Sequence, residues 1–404
     1  MPIPVSHEDA KSYTQATFKP LLNKLVKTPE YFNAHDLRLA LEHVFTPGAI
    51  DPTQIGAFLA ALHISRLERR PESLAAAASL LRERAIPAAV DRGDEDFVVD
   101  IVGTGGDGHN TFNVSTTAAI VAAGAGARVI KVRLVKPAPR DFFGLIARCL
   151  QHGSRASTSS SGSADLLERL DCLFVPPTPG TTTPFPRIPF QFILAPHYHP
   201  SLAFIAPYRK LLPFRTMFNI IGPLINPARP KGMVLGICEP ELGATFAQSL
   251  LDGGVEKALV VCGVERLDEI SCAGPTHVWE LNKGADGKGK IDEYLVEPVN
   301  DFGLPTHPLE DVAGHSPEEN AKVFARLLDP TQRLPPDADK ETKKKYGAIA
   351  DFVLMNASAL LVVAGVANDF KRGVELARES MTDGKAWEAL QIFRGYLHQQ
   401  GPTE

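Results

Sequence analysis

Residues 103–116 read Gly-Thr-Gly-Gly-Asp-Gly-His-Asn-Thr-Phe-Asn-Val-Ser-Thr, GTGGDGHNTFNVST. Glycine loses more conformational freedom on folding than any other residue, so four glycines in six positions need a local reason. The flanks suggest one. Phe97-Val-Val-Asp-Ile-Val102 is a short apolar run that suits a buried strand, and Ser115–Gly126 (STTAAIVAAGAG) is an alanine-rich run that suits a helix. A strand that ends in glycines and passes into a helix has the geometry of an anion site. The backbone can approach an oxyanion closely, and free N–H groups at the helix start carry partial positive charge. Asn113, Ser115 and Thr116 add neutral donors and acceptors there. The spacing is neither that of the P-loop nor G-x-G-x-x-G. A tight turn alone would also use such glycines, with Asp107 as its cap; inside an anion loop the same acid would orient a hydroxyl or a hydrated metal.

Outward from this loop the chain keeps alternating. Ala127–Ile130, Gly232–Ile237 and Lys257–Val264 read as strands, with a helix over 240–252. Shorter strands fall near 277–282 and 292–297, and long helices over roughly 316–328, 341–365 and 368–381. Strands separated by helices define an α/β fold with a mostly parallel central sheet and helices on its faces. Residues 7–92 read as helices instead. Asp51-Pro52 is a cap followed by proline at the first helical position, Ile55, Phe58, Leu59 and Leu62 recur at helical spacing, and 74–81 (LAAAASLL) continues the pattern. Residues 176–189 are a proline-rich loop, and 332–345 (QRLPPDADKETKKK) a solvated linker entering a helix.

Three further stretches carry chemistry. Residues 152–168 (HGSRASTSSSGSADLLE) form a hydroxyl-rich loop leading into a helix, read as capped by Ser163 with Asp165 in the first turn. Two such loops after neighbouring strands could bracket a diphosphate. Asp268-Glu269 follows the strand that ends at Val264; paired carboxylates there suit Mg2+, a hard cation shared with substrate phosphates, although two solvated loop acids would look the same. In Ala195-Pro-His-Tyr-His-Pro200, His197 and His199 read as pocket lining rather than a metal pair, since no carboxylate or cysteine partner lies nearby in sequence. An arginine close to this aromatic cluster, such as Arg209 or Arg215, could clamp a substrate carboxylate.

The chain of 404 residues is 44% apolar with a formal net charge of −5, and its pI is about 6.2. Neither nucleic acid nor a membrane is an expected partner of such a balance. The five cysteines are scattered without C-x-x-C or zinc spacing and read as reduced, mostly buried thiols. MPIPVSHEDAKSYTQ lacks a targeting pattern and no charge-free apolar run of 18 residues occurs, so a cytoplasmic location is expected.

In order and spacing, GTGGDG…TFNVST, HGSRAS…SGSADLLE, APHYHP…PYR…RTMFN, GPLINP and NASALLVVAG…GVELARESMTDGKA resemble the anthranilate phosphoribosyltransferases of tryptophan biosynthesis, over nearly the whole chain. The resemblance implies a small helical N-terminal domain (1–93, joined by helices from about 198–212) and a larger α/β domain (94–404) of the nucleoside phosphorylase and class II phosphoribosyltransferase type. It also implies an active site at their hinge, a homodimer, Mg2+ as cofactor, and phosphoribosyl pyrophosphate and anthranilate as substrates. Carried over position by position, Gly103, Gly106, Asp107, Thr111, Asn113, Val114, Ser115, Thr116, Lys131 and the run 157–163, with Ser157, Ser159 and Ser163, would hold phosphoribosyl pyrophosphate. Ser115, Asp268 and Glu269 would hold the metal. Gly103, Ser154 and Arg209 would hold anthranilate, with His152, Gly153 and Arg155 in the same substrate loop. Lys131, Asp107 and Arg209 are the implied catalytic residues. Ser154 stands where the family usually has Asn, and Leu212-Pro213 replaces its Leu-Gly before Arg215-Thr216.

The family pattern runs from Val-Ile-Lys directly into His-Gly-Ser-Arg, whereas residues 132–151 (VRLVKPAPRDFFGLIARCLQ) stand between Lys131 and His152. One reading is a natural excursion over solvent, since added loop length costs little. The other is a translated in-phase intron, because every Val codon begins GT and one Gln codon ends AG. A pyrimidine nucleoside phosphorylase would carry Lys-His-Ser-Thr-Gly-Gly in place of GTGGD, and that loop is absent. A nucleic-acid-binding relative on the same scaffold fits poorly with the acidic balance and the retained Asp268-Glu269.

Overall fold

The computed structural model describes residues 13–88, 90, 96–133, 160–174, 176–177, 185–284 and 286–400. Four helices come first: α1 (Gln15–Lys27), α2 (Ala34–Val44), α3 (Pro52–Ser65) and α4 (Pro71–Glu83). Asp51 caps α3 as expected, its carboxylate accepting the Thr53 N–H at 2.8 Å, and Ile55, Phe58, Leu59 and Leu62 are the buried face.

The alternating part follows as β1 (Val98–Gly103), α5 (Val114–Gly124), β2 (Arg128–Arg133), α6 (Ser163–Arg169) and β3 (Phe190–Leu194). Next come α7 (Ala195–Tyr198), α8 (Pro200–Lys210), α9 (Met217–Ile220), β4 (Gly232–Gly236), α10 (Gly243–Asp252) and β5 (Lys257–Gly263). The antiparallel hairpin β6 (Thr276–Lys283) and β7 (Gly289–Val296) precedes α11 (Pro298–Phe302), α12 (Pro317–Leu328), α13 (Lys340–Val363), α14 (Phe370–Thr382) and α15 (Lys385–Gln400). The seven-stranded sheet runs β3-β2-β1-β4-β5-β6-β7, parallel from β3 through β5. Chain order departs to opposite sides from β1, toward β2 on one side and β4 on the other. A ligand crevice is expected outside the carboxyl ends of the strands at such a switch point.

The two faces of the sheet bury different partners. Val99, Ile101, Val234, Leu259 and Val261 pack with α5, α13, α14 and α15 in one core. Val102, Met233, Leu235 and Val260 face the other way, into a core shared with α1–α4, α8, α9 and α10. The helix α13 is long and apolar enough to cross a membrane by length and composition, but 72% of its most apolar window is buried inside the fold.

Three local features depart from the sequence reading. Strand β2 does not stop at Ile130: Val132 and Arg133, the first residues of the expected insertion, extend it and pair with Ile193 and Leu194 of β3. Residues 134–151 of that segment, and 178–184 of the proline-rich loop, lie outside the described residues. The strand β3 and the helix α15 carry no expectation from the sequence; β3 is five residues following closely on prolines, while α15 buries Ala386, Ala389, Leu390 and Phe393 at helical spacing. Ser163 is the first residue of α6 rather than its cap. Its hydroxyl oxygen accepts from Thr116 at 2.6 Å, and Asp165 reaches back to accept the Gly162 N–H at 2.9 Å.

His199, between α7 and α8, is 1% exposed. Burial holds its pKa down to about 4, against the opposing pull of the Ile225 and Leu81 carbonyls. The folded state therefore keeps this ring neutral while the unfolded chain takes up a proton below about 6.5. Stability is expected to fall as pH drops from 6.5 to 4, by an amount on the order of 3 kcal/mol from this group. Urea titrations of the native protein and His199→Gln across that range check it; equal slopes in both would remove His199 as the cause.

Candidate active site

The glycine loop leaves β1 and turns through positive φ at Gly105 (72°), Gly106 (84°) and Gly108 (81°), conformations that L side chains rarely adopt. Two partners fix it. The Gly105 N–H donates to Asp268 Oδ2 at 2.6 Å, and the Arg215 guanidinium donates to the carbonyls of Gly105 at 2.7 Å and Gly106 at 3.2 Å. A Cβ on Gly106 would run into that guanidinium.

Beyond the glycines, two asparagines tie the loop to its neighbours. Asn110 Oδ1 accepts from the Ser160 N–H (2.8 Å) and hydroxyl (3.0 Å), while its amide donates to Gly314 O at 2.8 Å. Asn113 donates to Ser161 O at 2.8 Å, and its Oδ1 accepts from Ser161 Oγ at 3.1 Å and from the Asn320 amide at 2.9 Å. Residues 312–320 act as a strap: Phe112 N–H donates to Val312 O at 2.9 Å and Gly314 N–H to Asn110 O at 2.7 Å. The first described residues of the serine loop therefore lie against the start of α5.

The acidic pair stands in the loop between β5 and β6. Gly103 and Gly236 let it approach; a Cβ on Gly103 would strike the Asp268 carboxylate and one on Gly236 its backbone carbonyl. Behind the pair, Asn356 of α13 is fully buried and binds both sides of the Ile270 peptide, accepting from its N–H and donating to its carbonyl, each at 3.1 Å.

These three loops enclose a cleft with about 460 Å3 of empty volume, partly open to solvent. Asp107, Thr111, Asn113, Val114, Ser115, Ser163, Asp268 and Glu269, all foreseen from the sequence, line it. Ser161, within the expected run 157–163, lines it as well, and Gly105, His109 and Phe112 do so without an individual expectation. Gly103 lies beneath, against Asp268; Gly106 backs onto Arg215; Thr116 is buried with its hydroxyl on Ser163. Lys131 and Arg209 are not part of the lining either. The Lys131 ammonium, fully buried in the sheet, donates to the Ile101 carbonyl. Burial pushes the neighbouring Asp100 carboxyl up to about 6, against the pull of Lys131 and Asn226. The Arg209 guanidinium stacks 5.8 Å from the Phe218 ring, and burial lowers its pKa to about 10. His152, Gly153, Ser154, Arg155, Ser157 and Ser159 lie outside the described residues.

Among the described residues no group of three or more His, Cys, Asp or Glu could by itself hold a metal ion. A hydroxyl and two carboxylates facing one open cleft are a partial set of hard oxygen donors. Mg2+ suits it, because that ion keeps several waters and shares its remaining positions with substrate phosphates.

A helical bundle beside a mostly parallel sheet, with a glycine loop and an acidic pair at the switch point, is a glycosyl transferase architecture. Residues 19–85 match the glycosyl transferase family helical bundle domain, and 95–133 with 146–387 match its a/b domain. An anthranilate phosphoribosyltransferase of Schizosaccharomyces pombe is 38% identical over 382 residues, covering 93% of this chain and 97% of that one. The Saccharomyces cerevisiae anthranilate phosphoribosyltransferase in complex with PRPP and Mg is similar with a TM-score of 0.78 and 29% identity, covering 96% of this chain and 99% of that one. The Thermus thermophilus enzyme gives 0.73 and 33%, covering 94% and 99%. The chain belongs to the anthranilate phosphoribosyltransferase family, and is thus a pentosyl-transferring enzyme.

Asn356→Leu would leave the Ile270 N–H and carbonyl unpaired in the core. We expect a loss of about 2–4 kcal/mol of folding stability, read by urea denaturation. An unchanged midpoint would mean that the acidic loop does not depend on α13.

Proposed function

We propose that this cleft joins phosphoribosyl pyrophosphate to the amine of anthranilate, giving N-(5-phosphoribosyl)anthranilate and pyrophosphate. The observation that carries the reading is the convergence of the glycine loop, the start of α5 and the Asp268-Glu269 pair on one cleft. Loop N–H groups and the hydroxyls of Thr111 and Ser115 would bind the diphosphate and ribose 5-phosphate oxygens, with Asp107 orienting ribose hydroxyls. Asp268, Glu269 and Ser115 would hold Mg2+, which when bound neutralises charge on the departing pyrophosphate. The aromatic amine is neutral at pH 7, so its lone pair forms the new bond to C1 as the C1–oxygen bond to pyrophosphate breaks, and the acidic ammonium so formed gives its extra proton to water or to the departing pyrophosphate without a strong base. Rate then comes from positioning and charge stabilisation. Lys131 would add positive charge from within the sheet, and Arg209 would take the anthranilate carboxylate; both roles rest on the family resemblance, as do those of His152, Gly153, Ser154, Arg155, Ser157 and Ser159.

The insertion is part of the same proposal. The a/b-domain match leaves residues 134–145 unmatched between its two segments, which supports an added stretch within 132–151. We also infer a homodimer. The inference rests on the family resemblance, and Ile64 (81% exposed) on α3 and Leu211 (84% exposed) after α8 are apolar side chains a second copy could cover.

Loss of anthranilate fluorescence on adding both phosphoribosyl pyrophosphate and Mg2+ tests the reaction; a flat trace with the full chain and with residues 132–151 deleted would overturn it. Asp268→Asn is expected to lower kcat by about a hundredfold and to raise the Mg2+ requirement. Ile64→Glu is expected to shift the particle seen by light scattering from dimer to monomer.

A further inference from the structure

The part of the glycine loop that faces away from the cleft is held by Arg215, one of the two arginines read as a possible carboxylate clamp, to which the proposed reaction gives no task. Arg215 lies outside the cleft lining, yet it donates two hydrogen bonds to carbonyls of the loop's central glycines (2.7 Å to Gly105, 3.2 Å to Gly106) and one to Cys238 Sγ at 3.4 Å. The Gly105 and Gly106 carbonyls share their planar peptide units with the N–H groups of Gly106 and Asp107, so holding the two oxygens on one side fixes those two N–H groups on the other. The Gly105 N–H, in the preceding peptide unit, is held separately by Asp268 Oδ2, a cleft-lining residue. The positive φ of both glycines and the absence of a Cβ on Gly106 are what allow the guanidinium to come this close.

Arg215 is itself fixed by the helical bundle. Two residues on, the Met217 N–H donates to Glu68 Oε2 at 2.7 Å, and Glu68, 3% exposed in the turn after α3, is also bound by His63 Nδ1 at 2.9 Å. The His63 ring stacks on Phe214 at 4.5 Å and 22°. Arg69 pairs with Glu239, the residue after Cys238. The segment 214–217 thus reaches the bundle on one side and the anion loop on the other.

We propose that Arg215 is a positioning residue for phosphoribosyl pyrophosphate: it holds the Gly105 and Gly106 carbonyls so that the loop's N–H groups face the diphosphate, and Glu68 fixes it in place from the bundle. The proposal rests on the assignment of the glycine loop to the diphosphate. It is specific to one substrate, because among the described residues Arg215 bonds to Gly105, Gly106 and Cys238 and not to Gly103 or Arg209, which are assigned to anthranilate.

The test compares the full-length native protein with Arg215→Gln, Arg215→Lys and Glu68→Ala. Binding of phosphoribosyl pyrophosphate with Mg2+ is measured by calorimetry, and KM for each substrate by fluorescence. Arg215→Gln is expected to raise Kd and KM for phosphoribosyl pyrophosphate by about tenfold to a hundredfold, the loss of charge-assisted bonds to two carbonyls, with KM for anthranilate changed by less than about threefold. Arg215→Lys, keeping one donor, falls between, and Glu68→Ala moves the same parameter in the same direction. If the native protein binds phosphoribosyl pyrophosphate and Arg215→Gln binds it equally well, or if both KM values rise together, the inference is overturned while the function stands. If the native protein itself does not bind it, the assignment of the loop fails and the inference with it. Should Arg215→Gln not fold, the split between the two KM values in Arg215→Lys decides the matter by the same criterion.

Discussion

Gly105 is held on both sides of its Cα, the N–H of one peptide unit by a carboxylate and the carbonyl of the next by a guanidinium. Each holder belongs to a different part of the chain, Asp268 to the loop after β5 and Arg215 to the segment before α9. Backbone with three positive φ values in four residues has no regular ladder to hold it, so its shape depends on such outside partners. Asn356 beneath Asp268 and Glu68 beside Met217 are the next supports inward, and both are buried. The anion loop is therefore only as well defined as the two cores on either side of the sheet.

Much of this was readable from the residues. The glycine loop, the hydroxyls at the start of α5 and the acidic pair each stand where a strand gives way to a loop, and spacing is enough to find them. The supports were harder to read because they lie far away in the chain. Asn320 and Asn356 do leave a signal: each is an amide on an apolar helical stripe, with Phe324 and Leu328 following the first and Phe352 and Leu360 flanking the second. A lone amide on such a stripe needs a buried partner, but sequence spacing does not say that the partners are Asn113 and Ile270. Strand β3 went unread for a related reason. Five residues close behind prolines carry little periodic signal, and their burial follows from β2 beside them. The ladder also explains why β2 outruns its expected end, since Ile193 and Leu194 offer pairing positions to whatever residues follow Lys131.

Charge within the fold follows the same logic. Lys131 and Asp100 lie inside the sheet and Arg209 on an aromatic ring, away from the cleft lining. What lines the cleft is mostly uncharged donors and acceptors together with three acids, Asp107, Asp268 and Glu269. Such a surface suits an anion that arrives with a cation better than a bare anion, since the acids would repel the latter.

The helical bundle and the far side of the sheet share one continuous core, in which Phe18, Phe58 and Leu74 belong with Leu235, Phe246 and Val260. A swing about a free linker would open that core to water over many apolar side chains. Relative movement of the two parts is thereby confined to sliding of packed helices by small steps, with side chains changing neighbours as they pass. The bundle is in this respect the second layer of a three-layer protein, and cutting the chain between α4 and β1 would expose an apolar face on each fragment.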